Sequence, residues 1–172
     1  ARAPRLVEQG FGVVIADLAE PHETLSEQMI YCRTDVTRED DLRKAIETGA
    51  ERFGSLRGAV ACAGVLHAER VLGREGIASL EAFRRVIEIN LTGTFNTVRL
   101  AAERMQHHQA DADGERGVIV MVSSVAAFEG QIGQASYSAS KGAIASMTLP
   151  LARELAQQGI RVVSIAPGVF ET

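Results

Sequence analysis

Val118-Ile119-Val120-Met121-Val122 is an unbroken apolar run, and it restricts the fold more than any other stretch of the chain. A strand with one wet face alternates apolar and polar residues; a strand with no alternation is covered on both faces, as in a parallel sheet held between helix layers. Similar short runs recur. Val13 to Ala16 is closed by Asp17, Met29 to Cys32 is followed by Asp35-Val36-Thr37, Ala59 to Ala63 is stopped by Gly64, and Arg161 to Ala166 is broken by Pro167-Gly168. Helical patterns lie between them. Leu42, Ile46, Gly49 and Phe53 share one face of a predicted helix, with Thr37 as its cap and Gly54 as its terminator. Phe83, Val86, Ile87, Asn90 and Leu91 open a longer pattern that continues through Phe95, Val98, Ala102 and Met105. His107-His108 is expected to cap its end with positive charge. Asp111 to Gly117 reads as a polar loop, and Ala135 to Gln158 as a third long helix with Gly159 behind it. The stretch from Asp17 to Asp35 is short for a full strand–helix–strand crossing.

Strands and helices alternating at this spacing make right-handed βαβ units and an α/β fold with a doubly wound, mostly parallel sheet flanked by helices. No repeat, low-complexity tract or linker divides the chain, so residues 1–172 read as a single domain. A net charge of −4 without a Lys/Arg cluster argues against a nucleic-acid partner. No apolar run approaches the roughly 18 residues of a membrane helix. The opening residues Ala1 to Arg5 precede no apolar segment of the kind a signal peptide carries. Cys32 and Cys62 lack metal-ligand spacing and read as reduced thiols, which points to a cytoplasmic protein. The four histidines, His22, His67, His107 and His108, form neither an i, i+4 pair nor a Cys/His cluster, so no metal is expected.

In open α/β sheets ligands bind outside the carboxyl ends of the strands. The five strands end in Asp17, Asp35, Gly64, Ser123-Ser124 and Pro167-Gly168. Taken singly, Asp and Ser cap helices, and Gly and Pro punctuate turns. Together they supply acceptors for ribose hydroxyls and small residues where backbone meets a nucleotide. Asp17, Asp35-Val36, Cys62-Ala63-Gly64, Asn90, Ser124, Tyr137-Ser138-Ala139-Ser140-Lys141 and Pro167-Gly168, in this order and spacing, resemble the signature of the short-chain dehydrogenases/reductases. The resemblance covers essentially the whole chain. Tyr-x-x-x-Lys alone is weak; a serine thirteen residues upstream and Pro-Gly after the next strand make it specific. The run Ser124-Val125-Ala126-Ala127-Phe128-Glu129-Gly130-Gln131, Gly133-Gln134 before the tyrosine and Met147-Thr148-Leu149-Pro150 after it resemble one branch, the type 2 3-hydroxyacyl-CoA dehydrogenases.

Tyr137 and Lys141 stand four apart in a helical stretch, so their side chains share a face. Free tyrosine titrates near ~10, and a neighbouring ammonium favours phenolate, which brings the group toward general acid–base work. The resemblance implies that Tyr137 exchanges a proton with the substrate alcohol or ketone and that Lys141 tunes it and holds the nicotinamide ribose. It further implies that Ser124 bonds the substrate oxygen and that Asn90 steadies a water leading protons away. Ser123 is a rival hydroxyl, Tyr137 and Lys141 have plain surface readings, and Asn90 has a plain helix-bonding one. Gln131 and Gln134 are candidate contacts to the substrate thioester, with loop solvation as the equal alternative.

The resemblance further implies a Rossmann-like fold, incomplete at both ends, since the Gly-rich turn and the substrate-covering segment of the family are missing from the chain. Ala61 stands where many relatives carry asparagine. The cofactor expected is NAD: Asp17 would accept from the adenosine ribose and repel a 2′-phosphate, and Leu18-Ala19-Glu20 offer no cation. Asp35 and Val36 would border the adenine, Asp35 being also readable as a helix cap. Cys62, Ala63 and Gly64 would pass the ribose, and Pro167, Gly168, Val169, Phe170 and Thr172 would run beside the nicotinamide. Helical stretches around Phe95 to Met105 and Ala143 to Leu155 are apolar on more than one face, and relatives use the equivalents to form dimers and tetramers, so a homo-oligomer is expected. The competing activities are a carrier-protein 3-oxoacyl reductase, a steroid or alcohol dehydrogenase, and an inactive nucleotide-binding scaffold.

Overall fold

The computed structural model describes residues 3–74 and 76–169. A short helix α1 (Ala3–Glu8) leads into β1 (Val13–Asp17), which pairs in parallel with β2 (Met29–Arg33), Val13 opposite Met29 and Asp17 opposite Arg33. The short spacing predicts a brief or incomplete helix between these two strands, and none forms. Helix α2 (Glu39–Phe53) follows and ends at Gly54, whose φ of 85° suits glycine. Its start differs from the sequence expectation. The N-cap is Arg38, without a side-chain bond, and the Thr37 hydroxyl donates to Asp35 instead. Helix α2 lies so close to β1 that a Cβ on Gly49 would come within 2.5 Å of Val14 Cγ2.

The second sheet orders β3 (Gly58–Ala61), β6 (Gly117–Val122) and β7 (Ile160–Ile165), all parallel, with β6 in the centre. Between β3 and β6 the chain forms a small antiparallel hairpin, β4 (Leu72–Gly73) and β5 (Gly76–Ile77). Then come α3 (Leu80–Ile87), a π-helical turn (Glu88–Thr92) and α4 (Gly93–Met105). After β6, a 3₁₀ turn (Val125–Ala127) leads to α5 (Ala135–Ala156) and on to β7.

Register fixes the two faces of this sheet. Ala59, Ile119 and Val162 lie side by side, and Ile119, Met121, Ile160 and Val162 pack with Val98, Met105 and Ile144 in the main core. Helices α4 and α5 therefore share one face. On the other, Val60, Val120 and Val163 form a row in which Val60 is 52% and Val163 43% exposed. The apolar runs foretell two covered faces; within this chain the three-stranded sheet is covered on one. Among the described residues no helix is long and apolar enough to cross a membrane.

The two sheets do not pair with each other. Ala16 and Asp17 of β1 and Val60 and Ala61 of β3 face a common cleft of about 960 Å³. Both sheets aim their carboxyl ends toward it, which places the functional residues.

Candidate active site

At the carboxyl ends of β3, β6 and β7 a second cavity of about 340 Å³ is lined by Ser123, Ser124, Tyr137 and Lys141. The strip Cys62, Gly64, Val65 and Leu66 closes one side, and Pro167 and Gly168 another. Continuity of β6 delivers both serines, and their roles separate. Ser123 is 2% exposed, and its Oγ donates to the Lys141 carbonyl at 2.7 Å, tying β6 to α5. Ser124 has extended backbone at the start of the 3₁₀ turn, and its Oγ accepts from Ala126 N at 3.1 Å. A hydroxyl keeps its own hydrogen and a further lone pair when it accepts one bond. Ser124, not Ser123, therefore still has a hydrogen to donate to a ligand.

The Lys141 Nζ lies 5.7 Å from the centroid of the Tyr137 ring, as the four-residue spacing in α5 requires. Lys141 is 5% exposed, and Nζ donates to Val122 O at 2.7 Å, leaving two of its three hydrogens for other acceptors. Burial pulls the Lys141 pKa down; proximity to Cys62 opposes it. The Cys62 thiol is pushed up by desolvation, with the Lys141 ammonium pulling the other way.

Asn90 is fully buried in the π-helical turn. Its Oδ1 accepts from Val65 N at 2.7 Å, and its Nδ2 donates to Val65 O at 2.9 Å and Ser140 Oγ at 3.0 Å. Ser140 Oγ in turn donates to Tyr137 O. Both amide hydrogens of Asn90 are thus committed to protein, and the side chain straps the Gly64-Val65 strip to the helix that carries Tyr137. A Cβ on Gly64 would sit 3.2 Å from Asn90 Oδ1 and 3.6 Å from Lys141 Nζ, so glycine lets the strip run this close. Val65, Leu66 and Ser140 are site residues that sequence reasoning passed over. Ser140, inside the Tyr-Ser-Ala-Ser-Lys run, was open to notice.

The larger cleft collects Asp17, Leu18, Asp35, Val36, Cys62, Ala63 and Gly64. Asp17 Oδ1 accepts from Ala19 N at 3.1 Å, which leaves the other carboxylate oxygen available. Arg33 stands opposite Asp17 in the strand register but does not line the cleft. Asp35 Oδ1 accepts from both the amide and the hydroxyl of Thr37, bonds that hold its carboxyl below the usual range. Val36 packs against Gly93, where a Cβ would come within 2.5 Å of Val36 Cγ2.

Some expected residues lie apart. Gln131 and Gln134 line neither cavity, and the Gln134 Oε1 accepts from Gln131 N within its own turn. Val169 is 99% exposed, and Phe170 and Thr172 lie outside the described residues. At the end of α4, His108 is biased toward neutral imidazole rather than toward the expected cation. Burial, with Arg104 next, lowers its pKa, and its ring faces Leu56 O at 3.2 Å.

Comparison with known proteins gives the family. The family model described as short chain dehydrogenase matches residues 1–172. A "3-hydroxyacyl-CoA dehydrogenase type-2" of Drosophila melanogaster is 48% identical over 179 residues, covering 100% of this chain and 70% of that protein. The protein of the same name from Homo sapiens is 46% identical, covering 100% and 69%. The crystal structure of 3-hydroxyacyl-CoA dehydrogenase type-2 from Mycobacterium avium superposes with a TM-score of 0.92 at 39% identity, over 97% of this chain and 68% of that one. With the serine, tyrosine and lysine gathered at the carboxyl edge of a parallel sheet, the chain belongs to the short-chain dehydrogenase family of oxidoreductases.

Proposed function

We propose that the chain carries hydride between NAD(H) and the 3-hydroxyacyl-CoA/3-oxoacyl-CoA pair. The observation that carries this reading is the convergence of Ser124, Tyr137 and Lys141 on one small cavity in a chain about half identical to relatives named for that reaction.

The residues present fit a nicotinamide dinucleotide. Asp17 offers a carboxylate oxygen to ribose hydroxyls and a charge that disfavours a 2′-phosphate. Asp35 and Val36 border the far end of the cleft, and Ala63 and Gly64 present a strip without bulk. Lys141 Nζ has two free donors for the second ribose, and Pro167 and Gly168 wall the reacting end. When bound, the nicotinamide supplies the hydride, and the protein supplies orientation and electrostatics.

The chain's own part is proton handling at one oxygen. In the oxidative direction the Tyr137 phenolate oxygen takes the proton of the substrate alcohol as the hydride leaves carbon, and in the reductive direction the Tyr137 hydroxyl returns that proton to the forming alkoxide. Ser124 Oγ–H donates to the same substrate oxygen and fixes its position against Tyr137. The Lys141 cation beside the ring stabilises negative charge there. Asn90 serves through Val65 and Ser140, holding the strip and α5 in register. Two free thiols, Cys32 and Cys62, fit a reducing cytoplasmic setting, and the half-exposed Phe95 and Leu149 on α4 and α5 fit self-association.

The test is turnover of acetoacetyl-CoA with NADH against NADPH. NADH-supported reduction is expected to dominate; a strong preference for NADPH would remove Asp17 from its role. Absence of turnover alongside reduction of simple cyclic ketones would move the substrate to the alcohol-dehydrogenase reading.

A further inference from the structure

The segment between β3 and α3 is tied down twice. At its root, Val65 is gripped by Asn90. Farther out, Glu69 makes three bonds. Its amide donates to Gly133 O at 2.8 Å, and its Oε2 accepts from Ser79 N at 2.9 Å and faces His67 Nε2 at 3.3 Å. Ser79 is the N-cap of α3, accepting from Ala82 N, so the Glu69 carboxylate closes a loop of residues 69–79 at its neck and fixes that loop to the helix leading to Asn90. The Ser79 amide and the His67 ring hold the Glu69 carboxyl below the usual range. Gly133, with φ of 86°, is approached so closely that a Cβ there would sit 3.4 Å from Glu69 N.

The partner across this bond is the 128–134 segment, which runs directly into the helix bearing Tyr137. Each side carries bare apolar side chains. Leu66, 60% exposed, lines the reaction cavity, and Phe128 and Ile132 are 74% and 80% exposed. Leu66 thus presents bare apolar surface on the cavity wall, which suits a ligand with an apolar chain.

We propose that Glu69 is a positioning residue: its carboxylate closes the neck of the loop on the Ser79 amide, which keeps its own backbone amide seated on Gly133 and so sets the Leu66 wall against which the acyl chain of the substrate lies. This rests on the acyl-CoA reading above. Asn90 holds the cofactor-side root independently, so loosening Glu69 frees the substrate side and leaves the cofactor side in place.

Glu69→Ala removes the carboxylate, and Glu69→Gln keeps an acceptor for Ser79 N. We expect E69A to raise KM for acetoacetyl-CoA roughly tenfold, with kcat and KM for NADH within about twofold of wild type, and E69Q to restore KM. Trypsin cleavage after Arg70, inside the clasped loop, reads the tie directly; it should accelerate in E69A and stay slow in E69Q. Unchanged KM and cleavage in E69A overturn the proposal. So does an E69A that loses kcat and affinity for both reactants together with thermal stability, unrescued by E69Q, because that is general loosening. If wild type does not turn over acetoacetyl-CoA, the acyl-CoA reading fails, and cleavage after Arg70 still decides the clasp: faster in E69A alone upholds it, equal in all three sinks it.

Discussion

The two cavities are built on opposite plans. Around Tyr137 the side chains are close and mutually bonded: Ser123 holds the Lys141 carbonyl, Asn90 holds Val65 and Ser140, and Lys141 is nearly buried. Around Asp17 the cleft is larger and presents carboxylates bonded only to nearby backbone or hydroxyl. The small cavity is preorganised for a reaction whose geometry must be fixed before charge moves; the large one needs only to recognise and hold. Substitutions should therefore act on turnover in the first and on cofactor choice in the second.

The largest effect expected is from Tyr137→Phe. Loss of the proton-carrying hydroxyl should cost about 10²–10⁴-fold in kcat with cofactor binding retained, measured by steady-state rates and NADH fluorescence titration. Equal losses in both would erase the contrast between the cavities. Asn90→Ala comes next. It removes two bonds to the Val65 backbone and the buried one to Ser140 Oγ, a loss of about 1–3 kcal/mol in urea unfolding, and should lower kcat as the strip loosens. In the cleft, Asp17→Ala should shift the NADH/NADPH preference by about tenfold toward NADPH, the scale of one screened charge–charge contact, without changing kcat at saturation. A drop in kcat there would show that the cleft, too, takes part in the reaction.

The smallest effect concerns neither cavity and serves as a control. His108 has a lowered pKa, its ring facing Leu56 O, Arg104 and Arg57, with His107 beside it and the Arg116 guanidinium bonded to its carbonyl. Because the folded state favours neutral imidazole, the unfolded chain takes up more protons as pH falls below about 6.5. This contribution to stability is present above that pH and is lost on acidification toward the lower folded value. The urea midpoint of wild type should fall between pH 7.5 and 5.5, and His108→Asn should flatten the difference; an unaltered slope would assign the acid sensitivity to other groups.

Much of this was open to a reader of the sequence because the informative signals are local. Unalternating apolar runs mark β1, β3, β6 and β7, and the residue that ends each strand names its ligand edge. Tyr137 and Lys141 need only helical spacing to share a face. What was not legible depends on distant partners. Thr37 looks like a helix cap, yet its hydroxyl is taken by Asp35 two residues back. Spacing to Tyr137 favours Ser124 over Ser123 in the sequence, but that Ser123 is spent on the Lys141 carbonyl shows only in the fold. Glu69 and Gly133 are 64 residues apart, and no pattern announces that their backbones meet. The bare valine row escaped for a similar reason, since an apolar strand reports what its sides prefer and says nothing of whether a neighbour is at hand.

The π-helical turn between α3 and α4 carries a consequence for how the chain can vary. An α-helix advances about 100° per residue, so one surplus residue in a turn rotates everything beyond it by that amount. Val86 before the turn, and Val98, Ala101 and Met105 after it, are all buried, and they stay so because the surplus resets the helix between them. Deleting a single residue from Glu88–Thr92 would restore an ordinary helix and swing the core side of α4 toward water. Length in this stretch is therefore as constrained as the identity of Asn90 within it: the turn is a phase joint.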